Sequence, residues 1–511
     1  MLKPLKKFNG FFFYINKITL LISSGIIEGI CKMNTPIYSK LLKLKNEKRI
    51  PFHMPGHKRR GSGVFKEIEK MDITEITDYD NLHHPEGIIR ESMDHLREIY
   101  GTRESWYLVN GSTVGILAAI SACCDVGDGI LLSRNCHKSV YNAVRLLHLH
   151  AYYFYPEISD EYDVIEGIEE NQIEEIREIL NAHREIKAVI LPSPTYEGVV
   201  MDIEKLRKAI EPYQVFFIVD EAHGAHFPFH EYFPKSATEC GADLVIQSTH
   251  KTLPAMTQTA LLHLCSDRIS PEIISNMLSV YESSSPSYIL MASSEYSVAY
   301  MKENVDAVQQ YVDNLQNFRK KCAQLRRIHV IDREDLRCRD YDRSKLVFSV
   351  KNTGWNGITL FERLLRDYHI ELEMSDSSNC IAMTSVCDSE EMYDALFDAL
   401  KELDEEIDIQ MTESRRPEWE NNVQSYISCG KKMHEKVLES WQCDRKEKEK
   451  VILDEAEGRI SGDYVMLYPP GIPLLVPGEK ILKETVENLR YYIYNGYNVL
   501  GLSGNHMIVL R

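Results

Sequence analysis

From about residue 100 onward, short apolar runs alternate with longer amphipathic segments, and this alternation restricts the fold more than any other feature of the chain. Trp106–Val109, Gly129–Ser133, Ala151–Tyr155, Lys187–Leu191, Val215–Val219 and Leu244–Gln247 have the length and residue types of buried strands. Between them, Glu174–Arg184 and Ile203–Glu211 place apolar residues at helical spacing. Strands separated by helices need crossover connections. The expected class is therefore α/β, with a mostly parallel sheet covered on both faces. Ligands of such sheets sit beyond the carboxyl ends of the strands, so the residues to inspect are those just after each apolar run.

Past residue 300 the texture changes. A charged helical stretch, Tyr300–Arg327, leads into a short α/β unit from Lys345 to Leu403, with strands expected near Leu346–Val350 and Cys380–Thr384. A charged segment, Cys443–Glu457, then precedes a Pro/Gly-rich patch and a final helical run. A length of 511 residues is enough for two to four domains. The net charge of −18 argues against a nucleic-acid surface. The twelve cysteines include no C-x-x-C pair or Cys/His cluster at zinc spacing, so no metal site is expected, and reduced thiols in a cytoplasmic protein are the simple reading.

Residues 1–32 stand apart. A basic start (Lys3, Lys6, Lys7) precedes an apolar stretch, Phe11 to Ile30, which Lys17 and Glu28 interrupt and no small-residue cleavage site follows. The alternatives are a weak signal or membrane anchor and an upstream extension with Met33 as the true start. We prefer the last and expect no membrane attachment.

Four strand ends carry chemistry. Lys251, in Gln247-Ser-Thr-His-Lys251, stands at the ligand edge, where a desolvated amine can lose its proton and condense with an aldehyde. Alone, it reads better as a solvated loop lysine. Asp220 ends the run Val215–Val219 and can keep a pyridine nitrogen protonated, or simply cap a helix or bind a metal. Asn110-Gly-Ser-Thr113 opens an apolar helical stretch. Gly111, Ser112 and Thr113 there suit a phosphate seat and an ordinary cap equally well. His137, in Arg134-Asn-Cys-His-Lys-Ser139, can lie against a cofactor ring and guide a proton, or be a buried histidine bonded to backbone. A phosphate seat, a carboxylate and a lysine, in that order on one parallel sheet, are far more specific together than singly.

The chain resembles fold type I pyridoxal-phosphate (PLP) enzymes and, within them, the Orn/Lys/Arg decarboxylase family. The likeness runs from about residue 36 to the C-terminus. It rests on Pro51-Phe-His-Met-Pro-Gly-His-Lys58, Asp72-Ile-Thr-Glu-Ile76, Leu82-His-His-Pro-Glu-Gly87, Ser248-Thr-His-Lys251, and Tyr468-Pro-Pro-Gly-Ile-Pro-Leu474 with Pro477-Gly-Glu479. Ordinary aminotransferases of this fold lack the last element. The resemblance implies Lys251 as the Schiff-base lysine, Asp220 as partner of the pyridinium nitrogen and His137 as the stacking ring. It also implies Ser112, Thr113, Ser248 and His250 as phosphate ligands, with Ala222 and His223 flanking the ring. Ser284 and Ser285 resemble a segment that a neighbouring subunit lends to the site, so a homodimer or higher homo-oligomer is implied. Glu479 is the first candidate for reading the cationic end of the substrate, with Glu373 and Asp376 as alternatives.

The implied organisation is an N-terminal arm (33–54), a PLP-binding large domain (55–310), a small α/β domain (311–425) and a C-terminal decarboxylase domain (426–511). Too little sequence precedes Pro51 for the receiver-like domain of the large family members, so the short form is expected. The implied activity is decarboxylation of lysine, arginine or ornithine to the amine and CO₂, feeding polyamine metabolism. The sequence does not choose among the three. A PLP aminotransferase or other lyase is the near alternative, and a non-catalytic regulatory homologue the distant one.

Overall fold

A computed structural model describes residues 33–47, 49–60, 64–413, 434–468 and 471–511. The readings of residues 1–32, and the motif residues Pro469 and Pro470, lie outside the described residues. The strands in the first half are β1 (Glu104–Leu108), β2 (Gly129–Ser133), β3 (His150–Phe154), β4 (Ile186–Pro192), the two-residue β5 (Val199–Val200), β6 (Phe216–Asp220), β7 (Leu244–Gln247) and β8 (Ala260–Leu264). All but β5 form one sheet in the order β1-β8-β7-β6-β4-β2-β3. Pairing is parallel from β7 through to β3, and β8 is antiparallel to both its neighbours. Every residue of β2, β7 and β8 is buried, as in a sheet covered on both faces.

All six expected strands are present, their ends displaced by at most two residues. Strand β8 was not anticipated. It follows Lys251 in the chain and folds back antiparallel to β7, with Gln247 opposite Leu261.

The helix Gly111–Cys123 is apolar along most of its length and packs on the sheet. At Gly115 an added Cβ would come within 2.6 Å of Leu108 Cδ1 and 3.1 Å of Ile246 Cγ2, so glycine permits this close approach. The stretch read as one charged helix is two, Tyr288–Glu303 and Val305–Cys322, hinged at Asn304, which leaves helical geometry with φ −100° and ψ 61°.

A second sheet has the order β12-β13-β11-β9, from β9 (His329–Val330), β11 (Lys345–Ser349), β12 (Met374–Ser375) and β13 (Asn379–Met383), all antiparallel. Strand β11 starts one residue earlier than expected and so contains Lys345. Strand β10 (Asp340–Tyr341) pairs with β5 and ties the loop after β4 to the segment entering β11. Near the C-terminus β14 (Lys448–Ile452) pairs with β18 (His506–Leu510), and β15 (Val465–Leu467) lies between β16 (Pro473–Leu475) and β17 (Val499–Leu500). Val465, Leu475 and Val509 share one apolar cluster with Leu131, Val189 and Phe217 of the main sheet, so the C-terminal strands cover the sheet on that side.

Candidate active site

The carboxyl ends of the parallel strands converge on one cavity, whose walls include Ser112, His137, Asp220, Ala222, His223 and Lys251. Asp220 closes β6 and Lys251 follows β7. These strands are neighbours, with Asp220 opposite Ile246, so residues 31 apart in sequence arrive side by side. The next strand across, β4, delivers Thr195, Tyr196 and Glu197, and β2 delivers His137.

Each side chain is held by local geometry. Ser248 is extended, and the short helix Thr249–Thr252 that follows turns Lys251 inward, its Nζ 3.0 Å from His223 Nε2. Burial lowers the pKa of Lys251, while Asp220 and then Glu373 pull it back up. Asp220 is buried and accepts a hydrogen bond from the Ala222 N–H (3.2 Å). Burial raises its pKa and the Lys251 charge opposes the rise. His137 caps the helix Lys138–Leu146, with Nδ1 accepting from the Ser139 N–H (3.3 Å) and lying 2.8 Å from Ser139 Oγ. That places its proton on Nε2. Burial, then Lys251 and Lys138, take its pKa down to about 4, so the ring is neutral at ordinary pH.

On the other side of the site, Gly111 opens its helix at φ +73°, a conformation glycine adopts without strain, and its N–H donates to Gln258 O (2.8 Å). The N–H groups of the next residues have no acceptor within the helix, as at any helix start. Ser112 faces the cavity and Thr113 is exposed. Two further features flank Lys251. Ser248 is wholly buried and its hydroxyl has no hydrogen-bond partner among the described residues. His250 Nδ1 lies 2.7 Å from Thr259 O and must donate to it, so His250 donates from Nε2 only as the imidazolium.

A family profile, Orn/Lys/Arg decarboxylase major domain, matches residues 35–351, and that of the family's C-terminal domain matches residues 430–495. The chain belongs to the Orn/Lys/Arg decarboxylase family. It is 34% identical over 480 residues to the uncharacterized protein YaaO of Bacillus subtilis, covering 92% of this chain and 96% of YaaO. It is 30% identical over 494 residues to the arginine decarboxylase of the same organism, covering 93% and 97%. The fold matches the crystal structure of Francisella novicida lysine decarboxylase with a TM-score of 0.81 at 20% identity, over 97% of this chain and 84% of that one.

The structure does not bring every candidate of this family member to the cavity. Glu479 is 1% exposed and ion-paired with Arg134 at 3.2 Å, and its Oε2 also accepts from the Val476 N–H (2.8 Å). Both oxygens are therefore engaged away from the cavity wall. Asp376 is buried in its own turn and accepts from the N–H groups of Ser378 and Asn379, both at 2.7 Å. Burial takes its pKa up to about 7. Glu373 alone of the three reaches a cavity residue, accepting a hydrogen bond from the Tyr196 hydroxyl. Ser284 and Ser285 are exposed and do not line this chain's cavity.

Tyr196 and Glu197 were missed, although Ser193-Pro-Thr-Tyr-Glu-Gly198 directly follows an apolar run and the strand-end rule points to it. Lys345, whose Nζ lies 2.8 Å from His223 Nδ1, gave no local signal. Among the described residues no group of three or more His, Cys, Asp or Glu could hold a metal ion, and no helix is long and apolar enough to cross a membrane.

Proposed function

We propose that this chain removes the α-carboxyl group of a basic L-amino acid as CO₂, with pyridoxal 5'-phosphate as cofactor and arginine as the first substrate to test. The observation that carries the reading is the meeting of Lys251 and Asp220, from adjacent strand ends, in one cavity. Ser248 supports the fit of the cofactor. A wholly buried hydroxyl without a partner is costly and suits a ligand able to accept its proton. Arginine comes first because the Bacillus subtilis relative that aligns along nearly the whole chain bears that name.

In this reading Lys251 would carry the cofactor and Asp220 would face its ring nitrogen. The helix start Gly111–Thr113, with Ser248 and His250, would hold the phosphate, and His137, Ala222 and His223 would flank the ring. When bound, the cofactor supplies an electron sink for the pair left on Cα as CO₂ departs. The chain's own residues set the electrostatics. Asp220, whose pKa burial raises while the Lys251 charge and the Ala222 N–H oppose the rise, would place a preorganised carboxylate at the sheet edge. His137 stays neutral and offers an Nε2–H to the cavity. Glu373, hydrogen-bonded to the cavity-wall residue Tyr196, would supply the anion that attracts the cationic end of the substrate. The exposed Ser284 and Ser285 would complete the site of a second copy, making the dimer the active unit.

A CO₂-release assay with added PLP, run separately on arginine, lysine and ornithine, tests the proposal. Release from one of them, with the matching amine as product, is expected. A keto acid product would point to transamination, and silence on all three would reject a basic substrate.

A further inference from the structure

Two carboxylates stand in the cavity wall, Asp220 and Glu197. Asp220 accepts from the Ala222 N–H and, in the reading above, faces a ring nitrogen. Glu197 has no task in that reading. It is 5% exposed, and its Oε2 is enclosed without a hydrogen-bond partner among the described residues. Burial raises its pKa, and its own N–H, the Thr195 hydroxyl and Lys345 oppose the rise, but none of them bonds to Oε2. The Lys345 amine is engaged elsewhere, 2.8 Å from His223 Nδ1. A buried carboxylate oxygen with no donor is strongly unfavourable, and a donor that reaches it recovers the difference.

The backbone holds Glu197 in place. The Gly198 N–H donates to Thr195 O (3.1 Å), the Thr195 N–H to Val199 O (2.8 Å) and the Val199 N–H to Thr195 Oγ1 (3.2 Å). Tyr196 and Glu197 are the two central residues of this turn. Gly198 has φ +107°, and a Cβ there would come within 3.0 Å of Lys345 Cγ and 3.1 Å of Asp342 O. The turn is therefore pressed against the start of β11 and the residues before it, where only glycine fits. A ligand that binds Glu197 does not have to order the loop first.

The rest of the wall selects the donor. Ile165, Pro192, Pro194 and Ile472 line the same cavity and suit methylene groups. A complementary ligand has an aliphatic stem and, at its end, a group that donates to a carboxylate. Glu373 differs from Glu197 in kind. It is exposed and already accepts from the Tyr196 hydroxyl, so solvent screens its charge. An exposed anion attracts any cation, whereas an enclosed one discriminates, because an uncharged ligand leaves it uncompensated.

We infer that Glu197 is a specificity-determining residue of this site: its enclosed carboxylate pairs with the ammonium or guanidinium at the far end of the substrate side chain and rejects ligands that have the stem without the charge. The identity of the substrate rests on the decarboxylase reading above. The preference for a distal cation belongs to the cavity itself and can be measured without turnover.

The test is thermal unfolding of the PLP-loaded protein with agmatine, with cadaverine, and with pentylamine, which has the stem but no distal cation. In the wild-type protein agmatine or cadaverine should stabilise at about tenfold lower concentration than pentylamine, the scale of one charge-assisted contact. Glu197→Gln should abolish that preference, and in steady-state kinetics should raise KM for the basic amino acid by about tenfold or more. If Glu197→Gln does not fold, Glu197→Asp withdraws the charge by one methylene and should weaken binding of both cations while leaving pentylamine unaltered. No preference in the wild-type protein, or the same preference in a folded variant, overturns the inference. A loss of stability in Glu197→Gln with the preference intact would make the residue structural. If the wild-type protein released no CO₂ from arginine, lysine or ornithine, the decarboxylase reading would fall, and the amine series would still decide the role of Glu197.

Discussion

Arg134 and Glu479, 345 residues apart, form an enclosed ion pair with 3.2 Å between Nη2 and Oε2. Arg134 is the first residue past β2. Its guanidinium also donates to the carbonyls of Pro473 (2.7 Å) and Leu474 (3.2 Å) and lies 5.6 Å from the ring centres of both Tyr141 and Tyr153. The pair thus pins the segment that carries Ile472 over the strand end that carries His137, and both residues line the cavity.

Replacing one member of such a pair leaves the other buried and uncompensated. Glu479→Gln should therefore destabilise the fold by about 3–5 kcal/mol, read from urea unfolding. The KM for the basic amino acid should stay unchanged in the protein that remains folded. A raised KM at unaltered stability would return Glu479 to the role of substrate reader.

Ser248 makes the opposite prediction. Its buried hydroxyl has no partner among the described residues, so Ser248→Ala should leave the cofactor-free protein as stable as before or slightly more so. PLP titration of the same variant, followed by visible absorbance, should show binding weakened about tenfold or more, since a hydrogen bond to a charged group is lost. Equal affinity would show that the hydroxyl does not face the phosphate.

Glu373 is bonded to Tyr196 through its carboxylate, and an amide in its place can still accept from that hydroxyl. Glu373→Gln should keep the site's shape but remove the charge. Steady-state kinetics should then show KM for the basic amino acid raised about tenfold, the scale of one charge-assisted contact, with kcat largely spared. An unaltered KM would leave the head group to be read elsewhere.

His137 carries a pH prediction. Burial holds its folded pKa down to about 4, against an ordinary value near 6.5. Between these values the unfolded chain binds a proton that the folded chain refuses, so this group makes stability fall as the pH drops from about 6.5 to about 4. His137→Phe should flatten that limb by about 1.4 kcal/mol per pH unit, the work of one proton. Urea unfolding at several pH values inside the window measures it. Parallel limbs in the two proteins would show that His137 does not titrate in this way.

The sequence by itself determined the parts that short-range physics controls. Apolar runs buried on both faces must be strands, and the residues that end them must sit at the ligand edge. Lys251, Asp220 and His137 were each ambiguous one at a time, and only the order of their strands singled them out together. Tertiary structure decided what depends on how layers pack. Glu479 resembled a substrate reader until the C-terminal strands closed on β2 and gave its charge to Arg134. Lys345 carried no signal because its meaning lies in a contact with His223, 122 residues away and in the other layer. Period and turn chemistry act over a few residues, whereas the partner of a buried charge is set by whichever element is pressed against it, and only the packed fold specifies that.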